Sequence, residues 1–192
     1  MRCFLALPLP EEMIGPLLHL QEAIPVGREV PEENLHVTMA FLGNQDRATL
    51  EELHMALEMR RFAAAALAVR GLSVIGGRVP KLLAADLART AALRALRDAV
   101  AGAVRAARVT LPRERFRPHV TLVRFGGGLK TDDAMRLDRA LRGLAGFVTS
   151  PAEATALRLV ASHLTPDGAI YETLAEYPLA PPPGQRATAG HS

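Results

Sequence analysis

The sequence predicts an α+β protein in which two pseudo-symmetric lobes with antiparallel sheets surround a central cleft. Three observations lead to this prediction. Segments of helical and of strand periodicity are mixed along the chain, and hairpins join several of the strands. The pattern His-Val-Thr-apolar occurs at residues 36–39 and again at 119–122, nearly half the chain apart. A helix and then a hairpin follow each copy, which indicates two related lobes rather than a short tandem repeat.

The predicted elements of the first half follow from periodicity and from the residues at their ends. The run RCFLAL predicts a buried strand that ends at Pro8, and Pro10 with two glutamates starts a helix. Gly43 is expected to end the first motif strand, and Asp46 to begin the next helix. In order, the elements are a strand at 2–7, a helix at 10–24, the motif strand at 35–42, a helix at 46–60, and a hairpin of strands at 67–75 and 81–87.

The second half predicts the same succession. Its elements are a long helix at 89–108, the second motif strand at about 116–125, a break at Gly-Gly-Gly, a helix at 131–144, and a closing hairpin of strands at 154–165 and 169–179 around Pro-Asp-Gly. Residues 1–179 are therefore expected to form one bilobal domain. Residues 180–192 are rich in Pro, Gly and Ala and are expected to be a disordered tail.

Composition and charge limit the class of protein without naming it. The 192 residues are 49% hydrophobic and 22% charged, as in an ordinary globular protein. That length suits one domain, or two small lobes that share a core. The net charge of +3 permits an anionic partner such as nucleic acid but does not require one.

The cysteine count and the hydrophobic runs indicate a cytoplasmic protein. Cys3 is the single cysteine, so neither an intrachain disulfide nor a cysteine-based metal cluster is possible. Prolines and glutamates interrupt the N-terminal apolar run before it could form a signal-peptide core. The uncharged run FAAAALAV is far shorter than the roughly 20 residues of a membrane span. We therefore expect a cytoplasmic protein with no membrane partner. We also expect a monomer.

The repeated His-x-Thr pattern places polar side chains on one face of each motif strand. Because side chains alternate along a strand, His36 shares a face with Thr38, and His119 with Thr121. If the strands lie side by side, two imidazoles and two hydroxyls converge. Imidazole titrates near neutrality, so one ring can accept a proton while the other donates one. The hydroxyls can donate to phosphate oxygens, and such a site could hydrolyse a phosphodiester without a metal.

Two other interpretations of the histidines remain. A histidine in a strand often has only a structural role, but the repetition at matching places in both halves argues against this. A metal site would need further ligands, and the two strand faces offer no Asp, Glu or Cys beside the histidines.

The stretch GGGLKT is not a phosphate-binding loop, because Leu129 stands where glycine must precede the lysine. No metal or nucleotide cofactor is expected.

Two His-x-Thr-apolar strands in a chain of this size resemble the two-histidine phosphoesterase superfamily, and within it the RNA 2′,3′-cyclic phosphodiesterase branch, often named the 2′-5′ RNA ligase family. The resemblance covers residues 2–178 and departs from the usual pattern at Met39, where leucine is common. It implies a bilobal α+β fold with the active site between the lobes. The similar segments are RCFLAL, NLHVTMAFLG, VIGGRVPKLLAADL, FRPHVTLVR and SHLTPDGAIYETL.

The resemblance also implies roles for five residues. His36 and His119 correspond to the catalytic pair, while Thr38, Thr121 and Arg124 correspond to phosphate ligands. Strict alternation along the strand would put Arg124 on the face opposite His119. A β-bulge or the end of the strand must therefore place the arginine on the same face as His119.

The expected activity is hydrolysis of a 2′,3′-cyclic phosphate at an RNA 3′ end, such as that of a tRNA fragment, to a 2′-phosphomonoester. One alternative is the reverse reaction at the same site, which forms a 2′-5′ bond between RNA fragments. A second is an RNA-end binding module whose histidines only hold phosphate. A third is a hydrolase of cyclic nucleotides or of ADP-ribose cyclic phosphate. The symmetric pattern does not assign the base and the acid.

Overall fold

The structure is a computed structural model that describes residues 1–112, 115–165 and 168–181. These residues contain four α-helices, each close to its predicted place. The helices are α1 (Glu11–Glu22), α2 (Arg47–Glu58), α3 (Ala91–Ala106) and α4 (Thr131–Gly143).

Side-chain caps begin two of these helices. The carboxylate of Asp46 accepts a hydrogen bond from the Thr49 N–H at 2.8 Å, and the Thr90 hydroxyl accepts one from the Leu93 N–H at 3.1 Å. A cap of this kind satisfies an N–H that the first turn leaves without a partner. The prediction that Asp46 begins a helix is therefore confirmed.

The described residues also contain a short 3-10 helix (Glu32–Asn34) and eleven strands. The strands are β1 (Arg2–Pro8), β2 (Arg28–Glu29), β3 (His36–Asn44), β4 (Phe62–Ala63), β5 (Ala66–Leu67), β6 (Val69–Ile75), β7 (Leu82–Leu87), β8 (His119–Arg124), β9 (Ala152–Glu153), β10 (Ala156–Thr165) and β11 (Gly168–Ala180).

Nine strands form one sheet, in which the two motif strands are central neighbours. The order is β4-β11-β10-β1-β3-β8-β7-β6, with β2 against β8, and every pair is antiparallel except β11 with β4. The predicted α+β class with antiparallel pairing is confirmed. The two halves of the sheet meet at one residue pair, Val37 opposite Val120.

The lobes are interleaved along the sequence. The hairpin β6–β7 follows the first motif strand in the chain but pairs with the second, β8. The closing hairpin β10–β11 pairs with β1, which lies beside the first motif strand, β3. Helices cross in the same way, since α1 contacts β8 and α3 contacts β3. Each lobe therefore draws strands from both halves of the chain, and neither half of the sequence is a lobe.

Each motif strand carries a β-bulge directly after its threonine. The extra residue is Met39 in β3 and Leu122 in β8, where the pairing with β1 and with β7 shifts register. Both extra residues are buried, and so is the residue that follows each of them. Alternation therefore changes phase, and the next residues, Phe41 and Arg124, come out on the face that carries the histidines.

Three strand ends that bear on the site or on the tail differ from the prediction. Strand β3 continues through Gly43, whose φ of 69° is accessible to glycine within a second register shift against β1. Strand β8 begins at His119, after Pro118, which has no N–H to donate to a neighbouring strand. Strand β11 includes Ala180, opposite Ala63, although the predicted tail begins there. The rest of that tail, residues 182–192, lies outside the described residues.

The core lies on the other face of the central strands, beneath the helices. Val37 and Val120 are fully buried there, together with the leucines of β1 and of α3. The polar residues of the motif strands consequently face away from the core. No helix in the described part of the chain is long and apolar enough to cross a membrane.

Candidate active site

The two His-x-Thr pairs lie next to each other on β3 and β8. With Val37 opposite Val120, antiparallel register sets Thr38 beside His119 and Thr121 beside His36. All four side chains are partly buried. The structure therefore brings both predicted pairs into one cleft at the seam between the two halves of the sheet.

Backbone contacts fix the orientation of the His36 ring. Its Nδ1–H donates to the carbonyl oxygen of Asn34 at 2.8 Å, and a carbonyl can only accept, which defines the neutral tautomer. Nε2 then carries the lone pair and lies 3.1 Å from the hydroxyl oxygen of Thr38. Phe4 stacks on the ring at 4.9 Å between centroids, and Tyr171 meets it edge-on at 5.4 Å.

This aromatic environment disfavours the charged form of His36. Burial lowers the pKa of His36 from 6.5 to about 4. The hydrogen bond to Asn34 opposes that shift, while positive charge on Arg124 and on His119 adds to it. The ring is consequently neutral in the free protein at neutral pH.

His119 is oriented in the same way but has different neighbours. Its Nδ1–H donates to the carbonyl oxygen of Arg117 at 2.8 Å. The Arg117 guanidinium is itself held by Asp86, with contacts of 3.3 and 3.4 Å, and by the Ser73 hydroxyl at 2.6 Å. Asp86 is also the β-partner of His119 across β7 and β8. A network of charged groups, rather than a pair of aromatic rings, thus supports the segment that orients His119.

Arg124 lies on the histidine face, as the resemblance requires. The bulge at Leu122 provides the phase change, and the charge of Arg124 is close enough to lower the pKa of His36. Arg124 lines a cavity of about 270 Å³, together with Arg28, Asn34 and Tyr171. This cavity contains the Arg124 guanidinium next to His36, where it can meet an anion, and Glu29 also lines it.

A second cavity, of about 130 Å³, opens on the His119 side of the cleft. Thr38, Phe41, Phe116 and Arg117 line it together with His119. Phe41 is 56% exposed although it is a large apolar side chain. The histidines therefore separate one cavity that contains Arg124 from another that contains two aromatic rings.

Sequence reasoning did not single out the residues that surround the histidines. Phe4 and Tyr171 come from β1 and β11, far from His36 in the chain, and no alternation of buried and exposed residues in these strands marks either ring. Asn34 and Arg117 act through backbone carbonyls, which no side-chain pattern reveals.

The remaining described histidines have partners outside the cleft. His19 pairs with Glu22 on the surface, His54 contacts Tyr177 and Glu58, and His163 contacts Glu172. Among the described residues, no group of three His, Cys, Asp or Glu side chains is arranged to hold a metal ion.

Solved structures share this architecture. The structure of TT0787 from Thermus thermophilus has a TM-score of 0.75 and 23% sequence identity, over 93% of this chain and 98% of that chain. That of Escherichia coli LigT complexed with 3′-AMP has a TM-score of 0.70 and 22% identity, over 93% of this chain and 97% of that chain. The fold is that of the two-histidine phosphoesterases.

Sequence comparison narrows this class to a family. The family model described as the 2′-5′ RNA ligase superfamily matches residues 19–163, and the chain belongs to that superfamily. An RNA 2′,3′-cyclic phosphodiesterase of Aeropyrum pernix is 29% identical over 171 residues, 85% of this chain and 95% of that protein. One of Geobacillus stearothermophilus is 32% identical over 196 residues, covering 97% of this chain but 60% of that protein.

Proposed function

We propose that the protein hydrolyses the 2′,3′-cyclic phosphate at RNA 3′ ends to a 2′-phosphomonoester, by paired-histidine acid–base catalysis without a metal. One observation carries this proposal. Both imidazoles donate Nδ1–H to a carbonyl two residues earlier in the chain, so both Nε2 atoms are left for proton transfer. The names of the two relatives, each an RNA 2′,3′-cyclic phosphodiesterase, supply the substrate class.

The different surroundings of the rings support a proposal for the two roles. A general base must be unprotonated before the reaction, and burial favours neutral His36. His36 Nε2 takes a proton from water while the water oxygen attacks phosphorus. The bond from phosphorus to the 3′ oxygen breaks, and protonated His119 gives its Nε2 proton to that oxygen. The phosphate remains on the 2′ oxygen, and the two protonation states are exchanged.

The phosphate ligands follow from the same geometry. The hydroxyls of Thr38 and Thr121 donate to the non-bridging oxygens from the two sides of the seam. Arg124, next to His36, compensates the negative charge that develops on these oxygens. A bound phosphate anion stabilises the imidazolium that forms when His36 accepts a proton, and so raises the pKa of that ring during the reaction.

All five proposed site residues belong to one chain. His36, His119 and the three phosphate ligands all come from the central strands of a single sheet. A monomer is therefore sufficient for activity, and the partner is RNA with a cyclic phosphate end. A chain with a single cysteine suits the reducing cytoplasm, where we place this activity.

The decisive experiment is a pH–rate profile of a short RNA with a 2′,3′-cyclic phosphate end, with the product identified as the 2′- or 3′-monoester. The kcat/KM profile reports free-protein groups, so its acidic limb should lie near pH 4, where His36 becomes protonated. His36→Ala should abolish this limb, and His119→Ala should abolish the basic limb. The opposite assignment of limbs would reverse the roles, and a 3′-monoester product would contradict the regiochemistry.

Activity should persist in excess EDTA, and loss of activity restored by Zn²⁺ or Mg²⁺ would refute metal independence.

Ligation is a second candidate, since the superfamily is described by 2′-5′ RNA ligase. It is the reverse reaction at the same site: a 5′-hydroxyl attacks the cyclic phosphate in place of water. Adding an RNA fragment with a free 5′-hydroxyl and measuring joined product against monoester separates the two activities. An RNA-end binding module would show neither product.

A further inference from the structure

A groove of about 790 Å³ runs along the C-terminal half of α3, beside the catalytic cleft. It shares four lining residues with the cavity that contains His119 and Thr38. These shared residues are Arg97, Leu111, Pro112 and Phe116. The α3 groove, as we name it, is therefore continuous with the His119 side of the catalytic cleft.

The α3 groove is rich in positive charge. Arg97, Arg105 and Arg108 line it, and Asp98 is the one carboxylate among its described lining residues. None of the ion pairs between described residues involves Arg105 or Arg108. The mouth toward His119 adds further guanidinium groups, from Arg115 and Arg117. The lining chemistry thus selects an extended anion.

Arg97, at the junction of the groove and the cleft, has an unsatisfied donor. Its Nε is buried, and within the described residues it has no hydrogen-bond partner. Its guanidinium carbon lies 5.6 Å above the centre of the Phe116 ring. Burial lowers the pKa of Arg97, the charge of Asp98 partly opposes this shift, and the like charge of Arg105 adds to it. A phosphate between these two arginines would satisfy the donor and relieve the repulsion.

Arg108 occupies a backbone position where glycine is usual. The end of α3 is a Schellman motif: the N–H of Val109 donates to Val104 O at 3.1 Å, and that of Arg108 to Arg105 O at 3.0 Å. Arg108 therefore has a φ of 59°, a left-handed conformation that side chains with a Cβ disfavour. Packing of the helix end does not require an arginine here, and the exposed guanidinium lines the groove.

We propose that the α3 groove binds the phosphodiester backbone of the RNA upstream of its cyclic end, which makes single-stranded oligonucleotides better substrates than single nucleotides. Arginines provide the sequence-independent contacts to phosphate, and Phe116 provides a ring on which a base can stack. This inference rests on the proposed function, because the cyclic end must reach the histidines while the strand lies in the groove.

A different groove of the same protein supplies a matched control. It measures about 590 Å³ and is lined by Arg60 and Arg61, but also by Glu58 and Glu176, and it shares no lining residue with the His119 cavity. Its charges are mixed, so it lacks the continuous positive lining of the α3 groove. Arg61→Gln removes one exposed arginine there without touching the proposed RNA path.

The test compares kcat/KM for a 2′,3′-cyclic mononucleotide with that for a single-stranded octanucleotide ending in a 2′,3′-cyclic phosphate. Arg105→Gln should lower the octanucleotide value by roughly tenfold and leave the mononucleotide value within about twofold. For the octanucleotide, the slope of log(kcat/KM) against log salt should become shallower by about 0.7 in Arg105→Gln if one phosphate contact is lost. Arg61→Gln should leave kcat/KM unchanged for both substrates.

Arg108→Gly separates RNA binding from folding. Glycine accepts the left-handed conformation, so the melting temperature should rise, while octanucleotide turnover should fall as in Arg105→Gln. Equal losses on both substrates, or an octanucleotide value unchanged in both variants, would overturn the proposal. If the protein turns over neither substrate, the proposed function has failed. Anisotropy of a labelled octanucleotide ending in a 2′-phosphate then tests whether the α3 groove binds RNA. Tighter binding to the wild type than to Arg105→Gln supports binding in the groove, and equal binding refutes it.

Discussion

The two motif strands, β3 and β8, hold their histidines alike and surround them differently. Each ring donates Nδ1–H to a carbonyl two residues earlier, at 2.8 Å in both cases, and each threonine is followed by a bulge. His36 then lies against Phe4 and Tyr171, whereas the segment that orients His119 is supported by ion pairing between Arg117 and Asp86. Symmetric backbone geometry thus carries asymmetric electrostatics.

The asymmetry extends to the residue after each bulge. Phe41 on β3 and Arg124 on β8 stand five positions after their histidines, and both reach the histidine face. One is an exposed ring in the His119 cavity, and the other is a cation that acts on His36. A duplicated framework therefore holds two imidazoles in the same backbone geometry, and burial keeps the His36 ring neutral.

The largest expected effect tests whether both positions are needed. His36→Ala and His119→Ala should each reduce turnover by about 10²–10⁴-fold, because either change removes one of the two proton transfers. Circular dichroism shows whether each variant is folded. A folded variant with nearly wild-type turnover would disprove the two-histidine mechanism.

A second change tests the difference between Arg124 and Phe41. Arg124→Gln should lower kcat/KM by roughly 10- to 100-fold, since hydrogen bonds to charged groups contribute about 1.5–3 kcal/mol. The pKa of His36, followed by NMR of the imidazole, should rise because a repelling charge is lost. Phe41→Leu is the matched control, and it should leave that pKa where it is. An unchanged pKa in Arg124→Gln would place the guanidinium away from His36.

The third prediction concerns stability and pH. The pKa of His36 is about 4 in the folded protein but about 6.5 in an unfolded chain, so the unfolded state binds more protons between these values. The free energy of unfolding should therefore fall as the pH falls from 6.5 to 4, by on the order of 2 kcal/mol after allowance for the partial exposure of the ring.

The comparison for this measurement is His36→Gln, which cannot titrate. Urea unfolding of both proteins at several pH values between 4 and 7 isolates the contribution of His36. The wild type should lose stability relative to the variant on acidification. Parallel curves would mean that the folded and unfolded proteins titrate His36 alike, and the electrostatic asymmetry between the strands would be refuted.

The smallest expected effect belongs to the Asp86 network. Asp86→Asn should reduce turnover by about fivefold or less, because a partly exposed ion pair contributes up to about 1 kcal/mol. The acidic limb of the kcat/KM profile near pH 4, assigned to His36, should stay in place. Asp98→Asn provides an acid-to-amide control outside the network. A shift of the acidic limb would show that Asp86 acts on His36.

Local sequence determined much of this protein. The two His-Val-Thr-apolar segments predict strands with a polar face, Asp46 predicts a helix start, and the turn residues predict the hairpins. The resemblance named His36, Thr38, His119, Thr121 and Arg124, and the structure brings all five into one cleft. These features depend on neighbours in the chain, so they are visible in the sequence itself.

Only the tertiary structure decided which strands pair and what surrounds each histidine. The exchange of hairpins between lobes sets β10–β11 beside β1, and this brings Tyr171 to the ring of His36. The bulge at Leu122 turns Arg124 to the same face, against the alternation that the strand predicts. Register and bulges arise from pairing between distant strands, and the pKa of His36 arises from burial by residues of β1 and β11. A pattern along the chain reveals neither the strand pairing nor the pKa of His36, because each depends on contacts between segments far apart in sequence.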